Sequence, residues 1–303
     1  MNLIQRITDN FNKGYFNKAM KIDELPEEYP AWTIKRNSYI GVAVPINSDV
    51  IFSESFSKVK IRTEKEVIIG DESYDILMLT CEDMRLRNEF AAVCSQFVQP
   101  GVDGNLRKGL INSPDIWWSQ WKNLLGNMES DKLSYPVLGE LVCLEKLLQK
   151  NLKPLWSGAD GATHDIELDD CSYEVKSTTN RYGYEITINS VYQLTKSNET
   201  LYLIFCRFER SLSGRSVDDV AESIKSLGYS AEKLETILKK SGLEKGCTAR
   251  NLKYKLLEMK KYNVNEKFPF ITEHSFKNDT LPGHIIKFSY TVDLSGIENE
   301  NLI

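Results

Sequence analysis

The sequence predicts a mixed α/β fold of the α+β kind: a mixed-sheet core flanked by an amino-terminal strand-rich module and a carboxy-terminal, mostly helical region. Three observations predict it. The first hundred residues carry β-branched and aromatic runs separated by turn signals; a helix-strand-hairpin-helix-strand order runs from about Ser134 to Phe208; and helical periodicity returns after Ser211. At 303 residues the chain has length for about two domains and a sizeable core. The composition shifts divide it into 1–105, 106–210 and 211–303.

In the first part, AWTIKR, YIGVAVPI, FSKVKIRTEKEVIIG and YDILMLTCE read as strands. From Arg85 to Val98 the period becomes helical, with Leu86, Phe90, Cys94 and Phe97 on one face, and Pro100-Gly101 closes the helix. Gly101 to Asn112, rich in Gly, Asn and charge, reads as a linker. PDIWWSQWKNLL follows as a helix whose Trp117, Trp118 and Trp121 are expected to anchor packing, base stacking being the less common use.

In the middle part, Val137, Leu141, Leu144 and Leu148 recur at spacings of three or four, which predicts a helix from about Ser134 to Lys150 with Glu140 as its polar exception. LKPLW, the loop GADGATH, a short strand DIEL, the turn Asp169-Asp170, the strand CSYEVKS, the strand YEITI, a helix through Tyr192-Gln193-Leu194 and the strand LYLIFCRF complete the core. Beyond it, VDDVAESIKSLG, AEKLETILKKSG and ARNLKYKLLEMKKY read as helices separated by Gly228 and Gly242, before a final strand candidate, HIIKFSYTVDL.

Charge and composition narrow the function. A formal net charge of −5 excludes a whole-molecule basic field, so any polyanion site is a local patch. No apolar run approaches the roughly 18 residues of a membrane span, and MNLIQRITDNFNKGYF lacks the core and cleavage site of a signal peptide, so a cytoplasmic protein without membrane partners is expected. Six scattered cysteines without a CxxC pair read as reduced core thiols. No G-x-x-x-x-G-K-[ST] loop is present, so an ATP-driven motor would have to come from a partner.

One constellation carries chemistry. Alternation along CSYEVKS puts Glu174 and Lys176 on one face, with Tyr173, Val175 and Ser177 on the other. A hairpin through Asp169-Asp170 returns Asp165 beside Glu174, although Asp160 is a rival for the same place. With Glu140 from the preceding helix, the acids form the oxygen-rich environment that Mg²⁺, or Mn²⁺ in its stead, prefers. Phosphodiester hydrolysis needs a cation, an activated water and a group to orient that water, and Lys176 suits the last task.

Glu140 on a helix, Asp165 at a strand start, Glu174-Val175-Lys176 on the next strand and a helix carrying Gln193 together resemble the PD-(D/E)XK nuclease superfamily, whose fold is restriction-endonuclease-like. GATHDIEL, YEVKSTT, ITINS and VYQL are similar to a bacterial branch often encoded in defence operons beside methyltransferases and ATPases. The resemblance covers roughly residues 134 to 208 and lacks the family's proline, since Thr163-His164 precedes Asp165. It implies a Mg²⁺-dependent DNA endonuclease of restriction or antiviral defence, working alone, as a homodimer, or as a subunit of a complex with an ATPase or methyltransferase. It also implies that Glu140 reaches the metal through water or at a second site, and that Gln193 supports Lys176 or the DNA backbone. His164 reads as structural, and Ser177, Thr178 and Thr179 as strand-ending residues, with phosphate contact as the other reading of each.

Two further functions stay open: a catalytically inactive adaptor that keeps the fold to bind DNA or protein, and an RNA-cleaving enzyme. A basic patch in the last third, Arg250, Lys253, Lys255 and Lys260 among its residues, is expected to lie along a helix and contact DNA, or else to be a solvated face.

Overall fold

Strand-like alternation in the first hundred residues becomes a six-stranded antiparallel sheet. After helix α1 (Leu3–Lys13), strands β1 (Lys18–Lys21), β2 (Trp32–Lys35), β3 (Ile40–Pro45), β4 (Ser53–Phe56), β5 (Val59–Ile69) and β6 (Glu72–Cys81) pair in the order β1-β2-β3-β6-β5-β4. The computed structural model describes residues 2–13, 17–47, 49–56, 58–124, 134–158, 162–195, 200–276, 284–285 and 288–302. They form two compact units, Met1–Ser130 with Lys245–Thr248, and Asp131–Glu244 with Ala249–Ile303.

In the first unit, period-two burial splits β3 between two cores. Ile40, Val42 and Val44 pack with Ile7 and Phe11 of α1 and with Phe90, Cys94 and Phe97 of α2 (Arg87–Val98), while Ala43 packs on the other face with Trp32, Ile34, Ile76 and Met78. The segment read as a linker is instead largely helix α3 (Asn105–Asn112), which leads into α4 (Pro114–Leu124). The reason is Arg107. Its buried guanidinium donates to the carbonyls of Pro30 and Val98, satisfying backbone acceptors from two distant segments. Trp118 is buried, and Trp117 meets Phe97 edge-on at 5.2 Å, so the tryptophans act as packing anchors within this unit.

The second unit is built on a mixed six-stranded sheet. Helix α5 (Tyr135–Gln149) precedes β7 (Leu155–Trp156), β8 (Ile166–Glu167), β9 (Cys171–Thr178), β10 (Glu185–Ile188) and β11 (Thr200–Arg215); helices α6 (Val217–Ser226) and α7 (Ala231–Lys240) then lead to β12 (Tyr254–Asn263), β13 (Tyr290–Asp293) and β14 (Glu300–Asn301). The sheet order is β14-β12-β11-β9-β8-β7, with β9 and β11 parallel and the other neighbours antiparallel. Strands β10 and β13 form a separate antiparallel pair whose Ile186, Ile188 and Val292 cover Leu203 and Phe205 of β11.

The expected helix ARNLKYKLLEMKKY is a strand. Its residues Tyr254 to Asn263 pair along β11 from Arg210 to Tyr202, with a register shift that lets Leu257 bulge between Leu256 and Glu258. Lys and Leu favour helices in isolation, but burial of Tyr254, Met259 and Tyr262 beside a long apolar strand outweighs that preference. The final strand candidate contributes only Tyr290–Asp293.

Candidate active site

The β8–β9 hairpin sets the site. Its register pairs Ile166 with Tyr173 and Glu167 with Ser172, so the next position brings Asp165 opposite Glu174. Asp165 is held twice more. Its Oδ2 accepts from the Val175 N–H at 2.7 Å, and its carbonyl accepts from Ser157 N–H at 2.9 Å. The rival Asp160 lies outside the described residues.

On β9, Glu174 is 2% exposed and Lys176 Nζ donates to its Oε1 at 2.7 Å, so carboxylate and ammonium share one face as alternation predicts. Helix α5 packs closely against β9 on the side of Val175 and Ser177 because residue 139 is glycine. A Cβ there would overlap the Ser177 Oγ on β9. Pro136, whose fixed φ suits a helix start, and Glu140, one turn further on, line the same cleft as Asp165, Glu174 and Lys176. The cleft encloses about 480 Å³, and Thr178, Asn180, Glu185, Thr187, Asn189 and Gln193 are among the residues that line it further.

A residue without any motif holds Glu140. The indole Nε1 of Trp156, a fully buried side chain on the edge strand β7, donates to Glu140 Oε2 at 2.8 Å. Gly158 makes room, since a Cβ there would stand 3.1 Å from that oxygen. In sequence Trp156 offers only LKPLW, a short apolar stretch that reads as core.

Electrostatics separates this cluster from ordinary surface charge. Burial pushes Glu140 well above the usual carboxylate range; repulsion from Asp165 and Glu174 adds to it, and the Trp156 hydrogen bond and Lys176 offset only part. Burial also raises Asp165, against the Val175 N–H and the charges of Lys176 and His164. Glu174 is pushed up to about 8 by burial and then by Asp165, with Lys176 opposing. One buried and two half-buried acids thus share one ammonium.

That donor set fits a hard divalent cation in chemistry, because mutual repulsion among carboxylates is what such a charge relieves. Its present arrangement is a different matter: among the described residues, no three His, Cys, Asp or Glu side chains are gathered to hold a metal ion. Trp156, the Val175 N–H and Lys176 each hold one acid instead.

The remaining candidates divide. Gln193 lines the cleft, on a short 3₁₀ turn (Val191–Leu194) rather than an α-helix, and its Oε1 accepts from the Asn189 N–H at 2.8 Å, which ties the amide to its own turn. His164 is buried, with Nδ1 3.3 Å from Glu167 Oε1. Arg250 is 1% exposed and ion-paired with Asp218 and Glu235, both at less than 3 Å, so it joins α6 to α7 instead of facing a solvent-borne phosphate. Lys253 and Lys255 are exposed, Lys253 with Asp219 at 3.7 Å, whereas Lys260 donates to the Tyr184 hydroxyl at 3.0 Å. With β12 extended and bulged, these cations do not form the helical stripe expected of them.

A family model described as "Putative PD-(D/E)XK family member, (DUF4420)" matches residues 30–295. No curated protein and no solved structure matches the chain.

Proposed function

The chain belongs to the DUF4420 family of PD-(D/E)XK-type proteins, and from that premise we propose that it is a Mg²⁺-dependent endonuclease, with Mn²⁺ able to substitute, that hydrolyses phosphodiester bonds of DNA in restriction or antiviral defence. The observation that carries this reading is the convergence of Glu140, Asp165, Glu174 and Lys176 on one cleft. A divalent cation bound there would neutralise charge developing on the phosphate and lower the pKa of a water.

The chain's own groups do the rest. Asp165, just before β8, and Glu174 on β9 would hold the cation, and Glu140, anchored by Trp156, would support them from the helix. Lys176 points its ammonium into the cleft beside Glu174, where it orients the attacking water and stabilises the extra negative charge of the transition state. Water oxygen bonds to phosphorus as the bond to the leaving ester oxygen breaks; the water's proton passes to solvent and the leaving oxygen takes one up. Lys253 and Lys255 remain exposed for backbone contact. One cluster cuts one strand, so a double-strand break calls for two clusters of opposite polarity, which a homodimer or a defence complex with an ATPase or methyltransferase supplies.

The runner-up, an adaptor that binds DNA without cutting it, draws on the ungathered state of the acids. Cleavage assays separate the readings. Duplex DNA, single-stranded DNA and RNA are incubated with Mg²⁺, Mn²⁺ or chelator, with wild type, Asp165→Ala and Glu174→Ala. The nuclease reading expects metal-dependent cutting of DNA, lost in both variants while their circular dichroism is unchanged. Undiminished cutting by both variants in chelator contradicts the metal site, binding without cutting under any cation establishes the adaptor, and cutting confined to RNA replaces the substrate.

A further inference from the structure

We propose that the loop between β9 and β10 selects an unpaired DNA nucleotide at the cleft, Tyr182 stacking on its base and Arg181 meeting its phosphate; this rests on the reading of the cleft as a phosphodiester hydrolase. The loop leaves and re-enters the cleft wall, since Thr178 and Asn180 line the cleft before it and Glu185 and Thr187 after it. Between them Tyr182 is 81% exposed. A single exposed aromatic is unremarkable by itself. What sets this one apart is how it is held.

Arg207 of β11, a buried cation, is committed to this loop. Its Nη1 donates to the Asn180 carbonyl and its Nη2 to the Gly183 carbonyl at 2.6 Å, so the backbone is clamped on both sides of Arg181-Tyr182. The clamp is itself fixed. Arg207 Nε donates to Glu258 Oε2 at 2.6 Å, and its guanidinium carbon lies 5.0 Å from the Tyr184 ring centroid and 5.2 Å from that of Phe205. Gly183 adopts φ +83°, a backbone state that other residues adopt only with strain. A rigid base presenting an exposed ring costs little conformational entropy on binding, which is the economy a recognition contact needs.

Charge points to the ligand. The cleft holds Glu140, Asp165, Glu174 and Glu185 against Lys176, so an approaching phosphodiester needs further cations. Arg181 supplies one: it is exposed, 5.9 Å from the Tyr182 ring centroid, and in no ion pair among the described residues. A tyrosine face stacks on any base, but base pairing and stacking in a duplex hide those faces, so the contact favours a single strand or a locally opened site.

The test is fluorescence anisotropy of a labelled single-stranded oligonucleotide and its duplex, in chelator so that nothing is cut, with cleavage in Mg²⁺ measured separately. Tyr182→Ala should weaken single-strand binding by roughly 5- to 100-fold and duplex binding far less, while Tyr182→Phe, which keeps the ring, should bind as wild type. Gly183→Ala should repeat the loss through the backbone alone, since a Cβ there meets nothing within 4 Å. Single-strand binding unchanged in Tyr182→Ala, an equal loss on duplex, or a wild type that does not bind the strand overturns the inference. Tyr182-dependent binding without metal-dependent cleavage would instead fault the reading of the cleft and leave the loop's role standing.

Discussion

Helix α5 carries two glutamates about one and a half turns apart, Glu145 buried and Glu140 half-buried, and they are treated in opposite ways. Glu145 meets a bidentate guanidinium, Arg215 Nη1 and Nη2 donating to its two oxygens at 2.7 and 2.8 Å. Burial alone would raise it, but hydrogen bonds from Arg215 and Ser223 and the Arg215 charge carry it below its ordinary value. Glu140 meets an indole N–H and two further acids, and rises. Desolvation opposes charge at both positions, so the difference lies in the cations supplied. Glu235 repeats the Glu145 pattern: burial pushes it up, and Arg250 and Lys225 bring it down. Where the second unit needs a buried charge for structure it gives it a guanidinium; at the cleft three acids share one ammonium and are raised instead, the arrangement expected of a site that stabilises something absent from the folded chain itself.

The contrast breaks most visibly in activity. Asp165→Ala and Glu174→Ala should each lower the cleavage rate by on the order of 10³-fold or more, and Lys176→Ala by at least 10²-fold, with DNA binding retained in Lys176→Ala. Steady-state cleavage beside a binding isotherm checks this; a Lys176→Ala protein that binds weakly yet cuts at full maximal rate would make that lysine a phosphate anchor. Arg250→Ala belongs to the other side of the comparison. It removes one partner from Glu235, which keeps Lys225, and from the partly exposed Asp218, and urea unfolding should show a loss of about 1.5–3 kcal/mol, while the salt slope of DNA binding by the folded protein stays unchanged.

Dependence on pH sharpens the comparison further. Glu174 is raised in the folded state, from 4.5 to about 8, so the folded chain binds that proton more tightly than the unfolded one. Its stabilising contribution is complete below about 4.5 and is lost as pH climbs through about 8. Glu145 is lowered, so its contribution is present above its ordinary value and is lost as pH falls through the folded one. In chelator, Glu174→Gln should therefore be more stable than wild type at pH 8–9, by on the order of 2–5 kcal/mol, and the gap should close toward pH 5. A variant no more stable at either pH would remove the strain from the cluster. The smallest effect is expected of Trp156→Phe, which keeps the packing and deletes the N–H on Glu140: about tenfold weaker metal affinity, as for other groups that orient a ligand from behind.

Period-two alternation and a two-residue turn made Asp165, Glu174 and Lys176 legible in sequence, because their convergence is fixed by local geometry that side-chain spacing encodes. Glu140 was legible as a polar break in an apolar helix. Trp156 was not, since its indole reaches Glu140 across the sheet edge and its neighbours in sequence show only apolar packing. β12 reads as a helix in sequence because Leu, Lys and Met suit one, and the pairing with β11 that overrides them joins residues about 40 to 60 apart in the chain. Arg250 looked like one cation in a basic run; only the placement of Asp218 on α6 and Glu235 on α7 shows that its charge is already matched.

The central claim is that the three acids await a divalent cation, and titration calorimetry with Mn²⁺ at pH 7 in buffers of different ionisation enthalpy tests it most directly. A raised Glu174 must release its proton as the cation binds, so the account predicts binding to wild type with a heat that depends on the buffer, and no such binding to Asp165→Ala/Glu174→Ala. A wild-type protein that takes up neither Mn²⁺ nor Mg²⁺, or binds them equally well in the double variant, would contradict it.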